Sequence, residues 1–248
     1  LFAKLDKDEH ITIAYYGGSI TAGPGWRIHT LDWFRKTWPK AKISEHNASL
    51  GGSGSLVGVF RADDDLVAQE PDAVFIEFSL NDVADVRDRP AEVAGALEGI
   101  IRKLWMSKPD TDICLVYTLH SSAVGLLNQG KFSASVSLHE SIAEHYRIPS
   151  IHMGAEAAKM AAANQLVFTA PKSLGDKDAA GRVIFTNDGT HPTEAGHLLN
   201  GRAAIRGLEV FRKNTEAKPH PLPTALSDIP WEKAKTLAAE GRATFSGK

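Results

Sequence analysis

Short apolar runs, set between longer helix-like stretches, constrain the fold of this chain more than any other feature. Ile11-Thr12-Ile13-Ala14-Tyr15-Tyr16, Ala73-Val74-Phe75-Ile76-Glu77-Phe78 and Ile113-Cys114-Leu115-Val116-Tyr117 are nearly continuous in apolar character. Ala41 to His46 is a weaker strand candidate, and Ser150-Ile151-His152-Met153 a short fifth. Strands without clean polar alternation suit a parallel sheet buried on both faces. Helical candidates lie between them: Leu31 to Trp38, Leu56 to Gln69, Pro90 to Trp105, Ser133 to Tyr146, Ala155 to Asn164 and Thr193 to Phe211. Proline at the start of the third is placed where a first helical turn accepts it. Strand–helix alternation of this kind reads as right-handed βαβ units, hence an α/β sandwich with helices on both faces.

Size and composition narrow the possibilities further. The chain has 248 residues, and about 100–200 residues per domain allows one large domain or two small ones. Its single cysteine, Cys114, cannot form an intrachain disulfide, so a packed core must carry the fold. The formal charge of −2 gives no electrostatic footprint for nucleic acid. No run approaches the ~20 apolar residues of a membrane span, and the start lacks a charged-then-apolar export signal. The chain begins at Leu1, not methionine, so a removed address is expected upstream. From Lys218 the proline-rich Lys-Pro-His-Pro-Leu-Pro-Thr stretch reads as a linker or extended arm. The expected organisation is a domain over residues 1–213 and a C-terminal extension over 214–248.

In an open α/β sheet, ligands bind beyond the carboxyl ends of the strands. The first strand is followed by Gly17-Gly18-Ser19-Ile20-Thr21-Ala22-Gly23. This is no phosphate-binding loop, because the G-x-x-x-x-G-K-[ST] lysine is missing and G-x-G-x-x-G does not fit. Nor is it the G-x-S-x-G elbow, since Thr21 takes the last position. What remains is a serine held at a strand-to-helix turn, or a structural turn. A serine alcohol needs a base, and the base an orienting carboxylate. Asp188-Gly189-Thr190-His191-Pro192 supplies both within four residues. After strand two comes Asn47 through Gly54, where an unshielded glycine N–H could meet an oxyanion. After strand three comes Ser79-Leu80-Asn81-Asp82, where Asn81 could offer its amide.

Taken together, these four blocks resemble the SGNH, or GDSL-type, hydrolases over about residues 10 to 212. The resemblance implies a flavodoxin-like five-stranded parallel sheet between helices. It implies Ser19 as nucleophile, His191 as general base and Asp188 as third triad member. The oxyanion donors it implies are the Ser19 N–H, the Gly52 N–H and the Asn81 side chain, with Gly51 the alternative to Gly52. No metal or organic cofactor is implied. Gly17-Gly18-Ser19-Ile20 stands where the family usually has Gly-Asp-Ser-Leu, and with the closing Asp-Gly-x-His-Pro it is similar to a bacterial branch of carbohydrate acetylesterases. The expected activity is therefore hydrolysis of acyl esters, chiefly acetyl, on an oligosaccharide or polysaccharide, and such a substrate points to a place outside the cell. Alternatives are a lipid esterase, lysophospholipase or thioesterase, an acyltransferase, or a catalytically silent glycan-binding module. Two further residues are candidates for the substrate. Trp26 could stack on a sugar ring or belong to the core or rim, and His120, past strand four, could line the pocket. Arg27 is expected on a solvated surface, and Trp33 and Trp38 in the core.

Overall fold

The computed structural model describes residues 1–213 and 218–236. The expected boundary at 213–214 and the last twelve residues lie outside them. A short helix α1 (Phe2–Leu5) precedes β1 (Ile11–Gly17), which leads into α2 (Ser19–Ala22) and α3 (Trp26–Thr37). Then come β2 (Ile43–Asn47), α4 (Ser55–Asp65), β3 (Ala73–Glu77), α5 (Val83–Asp88) and α6 (Pro90–Ser107). They are followed by β4 (Asp112–Tyr117), α7 (Val124–Asn128), α8 (Ala134–Tyr146), β5 (Ser150–His152) and α9 (Gly154–Ala162). The order closes with β6 (Leu166–Thr169), β7 (Val183–Thr186) and α10 (Glu194–Phe211). The central sheet has five parallel strands in the order β2-β1-β3-β4-β5, the expected flavodoxin-like architecture. A separate parallel pair, β6–β7, carries the late strand that precedes Asp188.

The apolar runs divide cleanly by parity, as successive strand side chains must. Ile11, Ile13, Tyr15, Phe75, Cys114 and Val116 join one core with Trp26, Phe34, Ala204 and Leu208. Ala14, Tyr16, Val74, Ile76, Ile113, Leu115 and Tyr117 join the other with residues of α4, α6 and α8. Each strand is thus buried on both faces, which is why its sequence does not alternate.

Helix boundaries depart from the sequence reading for physical reasons. The first long helix starts at Trp26, not Leu31. Its buried stripe of Trp26, Thr30, Leu31 and Phe34 has helical spacing from the first residue. Trp26 is therefore fully buried, its indole N–H donating to Thr21 Oγ1 at 3.2 Å, so of its two readings the core one holds and the stacking wall for a sugar does not. Arg27 is also buried, contrary to expectation. Its Nε donates to the Thr21 carbonyl, its guanidinium pairs with Glu45, and it lies over the Tyr15 ring. Trp38 is buried and Trp33 packs at the core edge. Helix α4 stops at Asp65, short of Gln69, because Asp63, Asp64 and Asp65 crowd the helix end that disfavours negative charge.

The C-terminal residues 218–236 run along α6. Trp231 lies against Gly95 and Gly99, where a Cβ on either would meet backbone of residues 229 and 231 at 2.5 and 2.7 Å. The Leu226 and Ser227 N–H groups donate to the Glu98 carboxylate at 2.5 and 2.8 Å. His220 stacks on Trp105 with ring centroids 4.8 Å apart.

Candidate active site

The strand order reverses around β1, so a crevice opens beyond the carboxyl ends of β1 and β3. Gly17 and Glu77, the last residues of these strands, stand opposite each other in register. The nucleophile candidate and Asn81 follow a few residues later from adjacent strands. Ser19 opens α2 behind the N-cap Gly18, so its N–H is among the first-turn donors that no intrahelical carbonyl reaches. Gly18 leaves room for Asn81. A Cβ there would stand 2.1 Å from Asn81 Oδ1, so in this chain the glycine in place of the usual aspartate lets the carboxamide lie against the turn. The β2 loop reaches the same place: a Cβ on Gly51 would be 3.7 Å from Ser19 Cβ. Gly52 has φ +77°, a left-handed conformation natural to glycine, and nothing within 4 Å of where a Cβ would be.

Ser19 Oγ and His191 Nε2 are 2.8 Å apart across 172 residues of sequence. His191 Nδ1 is 2.7 Å from Asp188 Oδ2. The other carboxylate oxygen accepts from the N–H groups of Thr190 and His191 at 2.8 and 2.7 Å and from Thr186 Oγ1 at 3.0 Å. Desolvation opposes the charge on Asp188, but the His191 ring and the surrounding N–H donors outweigh it and hold the carboxyl below the ordinary carboxylate range. An ionised Asp188 can only accept, so Nδ1 carries the ring proton and Nε2 is bare to take the proton of Ser19. The side chains of His191 and Asp188 are 52% and 54% exposed, open to a substrate from solvent.

Beneath this surface lies a buried layer that the sequence does not announce. The Glu77 side chain accepts from Thr21 Oγ1, two residues after Ser19, and from Thr118 Oγ1, two before His120, both at 3.0 Å. Burial pushes its carboxyl up to about 7, against the pull of those hydroxyls. Asp82, adjacent to Asn81, accepts from Ser55 N and Oγ at 2.9 and 2.6 Å and pairs with His139 Nε2 at 2.9 Å. It thereby ties the Asn81 loop to the start of α4, behind Gly52. His120 lines a cavity of about 580 Å³ together with Asn81 and Thr190. The Ser121 N–H donates to the Gly189 carbonyl at 2.9 Å, joining the β4 loop to the Asp188–His191 turn. Among the described residues no cluster of three or more metal-ligating side chains occurs, and no helix is long and apolar enough to cross a membrane.

A three-layer α/β/α sheet with a serine, a histidine and an aspartate in hydrogen-bonded series at its switch point has the form of a serine-type acyl hydrolase. The GDSL-like Lipase/Acylhydrolase family model matches residues 15–199, and the chain belongs to that family. Among solved structures it is similar to a two-domain esterase active on acetylated mannans, at 30% identity and TM-score 0.68. The match covers 89% of this chain and 56% of that one, so the chain spans about half the length of that relative. The same esterase co-crystallised with mannopentaose matches at 29% identity and TM-score 0.68, over 89% of this chain and 54% of that one. An acetylxylan esterase from Geobacillus stearothermophilus shares the fold at 18% identity and TM-score 0.59, over 80% of this chain and 94% of that one. No curated protein matches the chain.

Proposed function

We infer that this chain removes acetyl groups from carbohydrate through a Ser19-His191-Asp188 triad and an acyl-enzyme. The observation that carries the reading is the unbroken series from Ser19 Oγ to His191 Nε2 at 2.8 Å and from His191 Nδ1 to Asp188 at 2.7 Å. The likeness to a mannan-active acetyl esterase at about 30% identity supports the substrate class.

Ser19 Oγ attacks the ester carbonyl as its proton passes to His191 Nε2, and Asp188 holds the imidazolium that forms. The carbonyl oxygen becomes an oxyanion against three donors, the N–H of Ser19, the N–H of Gly52 and the Asn81 amide. The tetrahedral intermediate collapses, the C–O bond to the sugar breaks, and His191 returns its proton to the departing hydroxyl. Water, deprotonated by the same nitrogen, attacks the acetyl-serine, and a second collapse frees acetate and restores Ser19. No step needs a metal or an organic cofactor.

A series of p-nitrophenyl esters, together with acetate release from acetylated mannan and xylan, tests the reading. The expected result is sharp preference for acetate over butyrate and octanoate, with acetate freed from at least one of the polysaccharides. Rates that rise with acyl length, and no acetate from either glycan, would point to a lipid esterase instead.

A further inference from the structure

The cavity beside Asn81 is too large for the smaller side of an acetyl ester. An acetylated sugar presents a methyl on one side of the carbonyl and a ring on the other. The cavity, at about 580 Å³, falls in the range that holds whole small ligands. It is lined by Asn81, a donor to the oxyanion in the mechanism above, and by Thr190, the residue before His191.

Its walls state the chemistry of its occupant. Leu126 and Leu127 of α7, with Val83 and Val136, give it an apolar lining. Among the described residues that line it there is no carboxylate, ammonium or guanidinium. The second lining histidine, His152, is held neutral, since burial pushes its imidazole down to about 4. His120 adds a donor of fixed direction. The Ser122 N–H donates to His120 Nδ1 at 3.1 Å, so that nitrogen is bare and the ring proton sits on Nε2. Nε2 in turn lies 3.7 Å from where a Cβ on Gly189 would stand, on the side of the Asp188–His191 turn. An apolar wall, a fixed N–H and uncharged hydroxyls match a ring with a C–H face and hydroxyl edges. An anionic ring would leave water with no cation to meet it, at high cost.

We propose that this cavity is the subsite for the neutral sugar ring that bears the acetyl group. Leu126 and Leu127 lie under its C–H face, the His120 Nε2–H binds one of its hydroxyls, and uronic acids are excluded. The inference rests on the acetylesterase reading, and its test separates the two. Methyl resonances of Leu126 and Leu127 are followed as mannopentaose, xylopentaose, an oligogalacturonate or octanoate is added. A shift with a neutral oligosaccharide, and at least tenfold weaker response to the oligogalacturonate and to octanoate, is the expected result. A response to octanoate in place of sugar would make the cavity an acyl pocket and overturn the proposal, as would silence of both leucines with either sugar. Kinetics give a second measurement. In Ala123→Trp, which fills the cavity, and in His120→Phe, the loss of kcat/KM on an acetylated oligosaccharide is expected to exceed the loss on p-nitrophenyl acetate tenfold or more. For His120→Phe the difference is expected in KM. Equal losses on both substrates would overturn the subsite. Failure of the acetate preference itself, by contrast, would sink the acetylesterase reading whatever the leucines do.

Discussion

Two serine–histidine–aspartate sets occur among the described residues, and they differ in order and in access. In Ser19-His191-Asp188 the imidazole stands in the middle, with one nitrogen on the serine and the other on the carboxylate. In Ser55-Asp82-His139 the carboxylate stands in the middle and takes both partners on the same oxygen, Oδ2, at 2.6 and 2.9 Å. The first set is half exposed. In the second, the Asp82 and His139 side chains are 0% and 2% exposed, and Ser55 is buried with them. The same residue types therefore do opposite work. A serine bonded to a bare imidazole nitrogen can lose its proton and attack. A serine that donates to a buried carboxylate is locked, and it anchors the helix that follows Gly52.

The sharpest way to break that contrast is to remove each hydroxyl. Ser19→Ala is expected to lower kcat by about 10⁶, the scale seen when a triad nucleophile is deleted, with thermal melting unchanged. Ser55→Ala is expected to do the reverse, keeping turnover within about tenfold and melting earlier, since it removes one of the two hydrogen bonds to the buried Asp82 Oδ2. Asp82→Ala goes further. It strands His139 and the Ser55 N–H in the interior and is expected to cost about 2–6 kcal/mol in urea unfolding, about 1–3 for each buried group left without its hydrogen-bond partner. Asn81→Ala, one residue away, is expected to leave unfolding nearly untouched and lower kcat about 10²–10³-fold, the loss typical of one oxyanion donor. A stability loss without a kcat loss at Asn81 would merge the two regions and break the comparison.

The smallest effect concerns pH. The fold raises the Glu77 carboxyl from 4.5 to about 7, so between those values the folded chain holds a proton that the unfolded chain has released. Stability contributed by this group is full below pH 4.5 and falls as pH rises through 7. Glu77→Gln keeps an acceptor for Thr21 and cannot ionise. Its stability relative to the native protein is expected to rise from pH 5 to pH 8 in parallel urea titrations, and a constant difference would contradict the burial argument.

Much of this architecture is legible in the residues because doubly buried strands leave continuous apolar runs. Ser19, Asn81 and the Asp188–His191 turn are legible because each follows a strand end where a βαβ fold gathers its ligands. The buried layer is not. Glu77 reads as one polar letter inside a strand, and its partners Thr21 and Thr118 lie 56 and 41 residues away. His139 looks like any helical histidine until α8 brings it to Asp82 across 57 residues. Trp26 carries two readings because closeness in sequence to Ser19 suggests the pocket, while helical spacing places it in the core. The proline-rich start of the C-terminal stretch gives no sign that Trp231 will settle on Gly95 and Gly99, since that fit depends on the shape of α6.

Labelling by a fluorophosphonate, read by peptide mass spectrometry, tests the central claim most directly, because it asks which of the two serines is a nucleophile. A single adduct on the peptide containing Ser19 is expected, lost in Ser19→Ala and strongly reduced in His191→Ala. An adduct on Ser55, or an unlabelled Ser19 in folded protein that still hydrolyses aryl acetate, would contradict it.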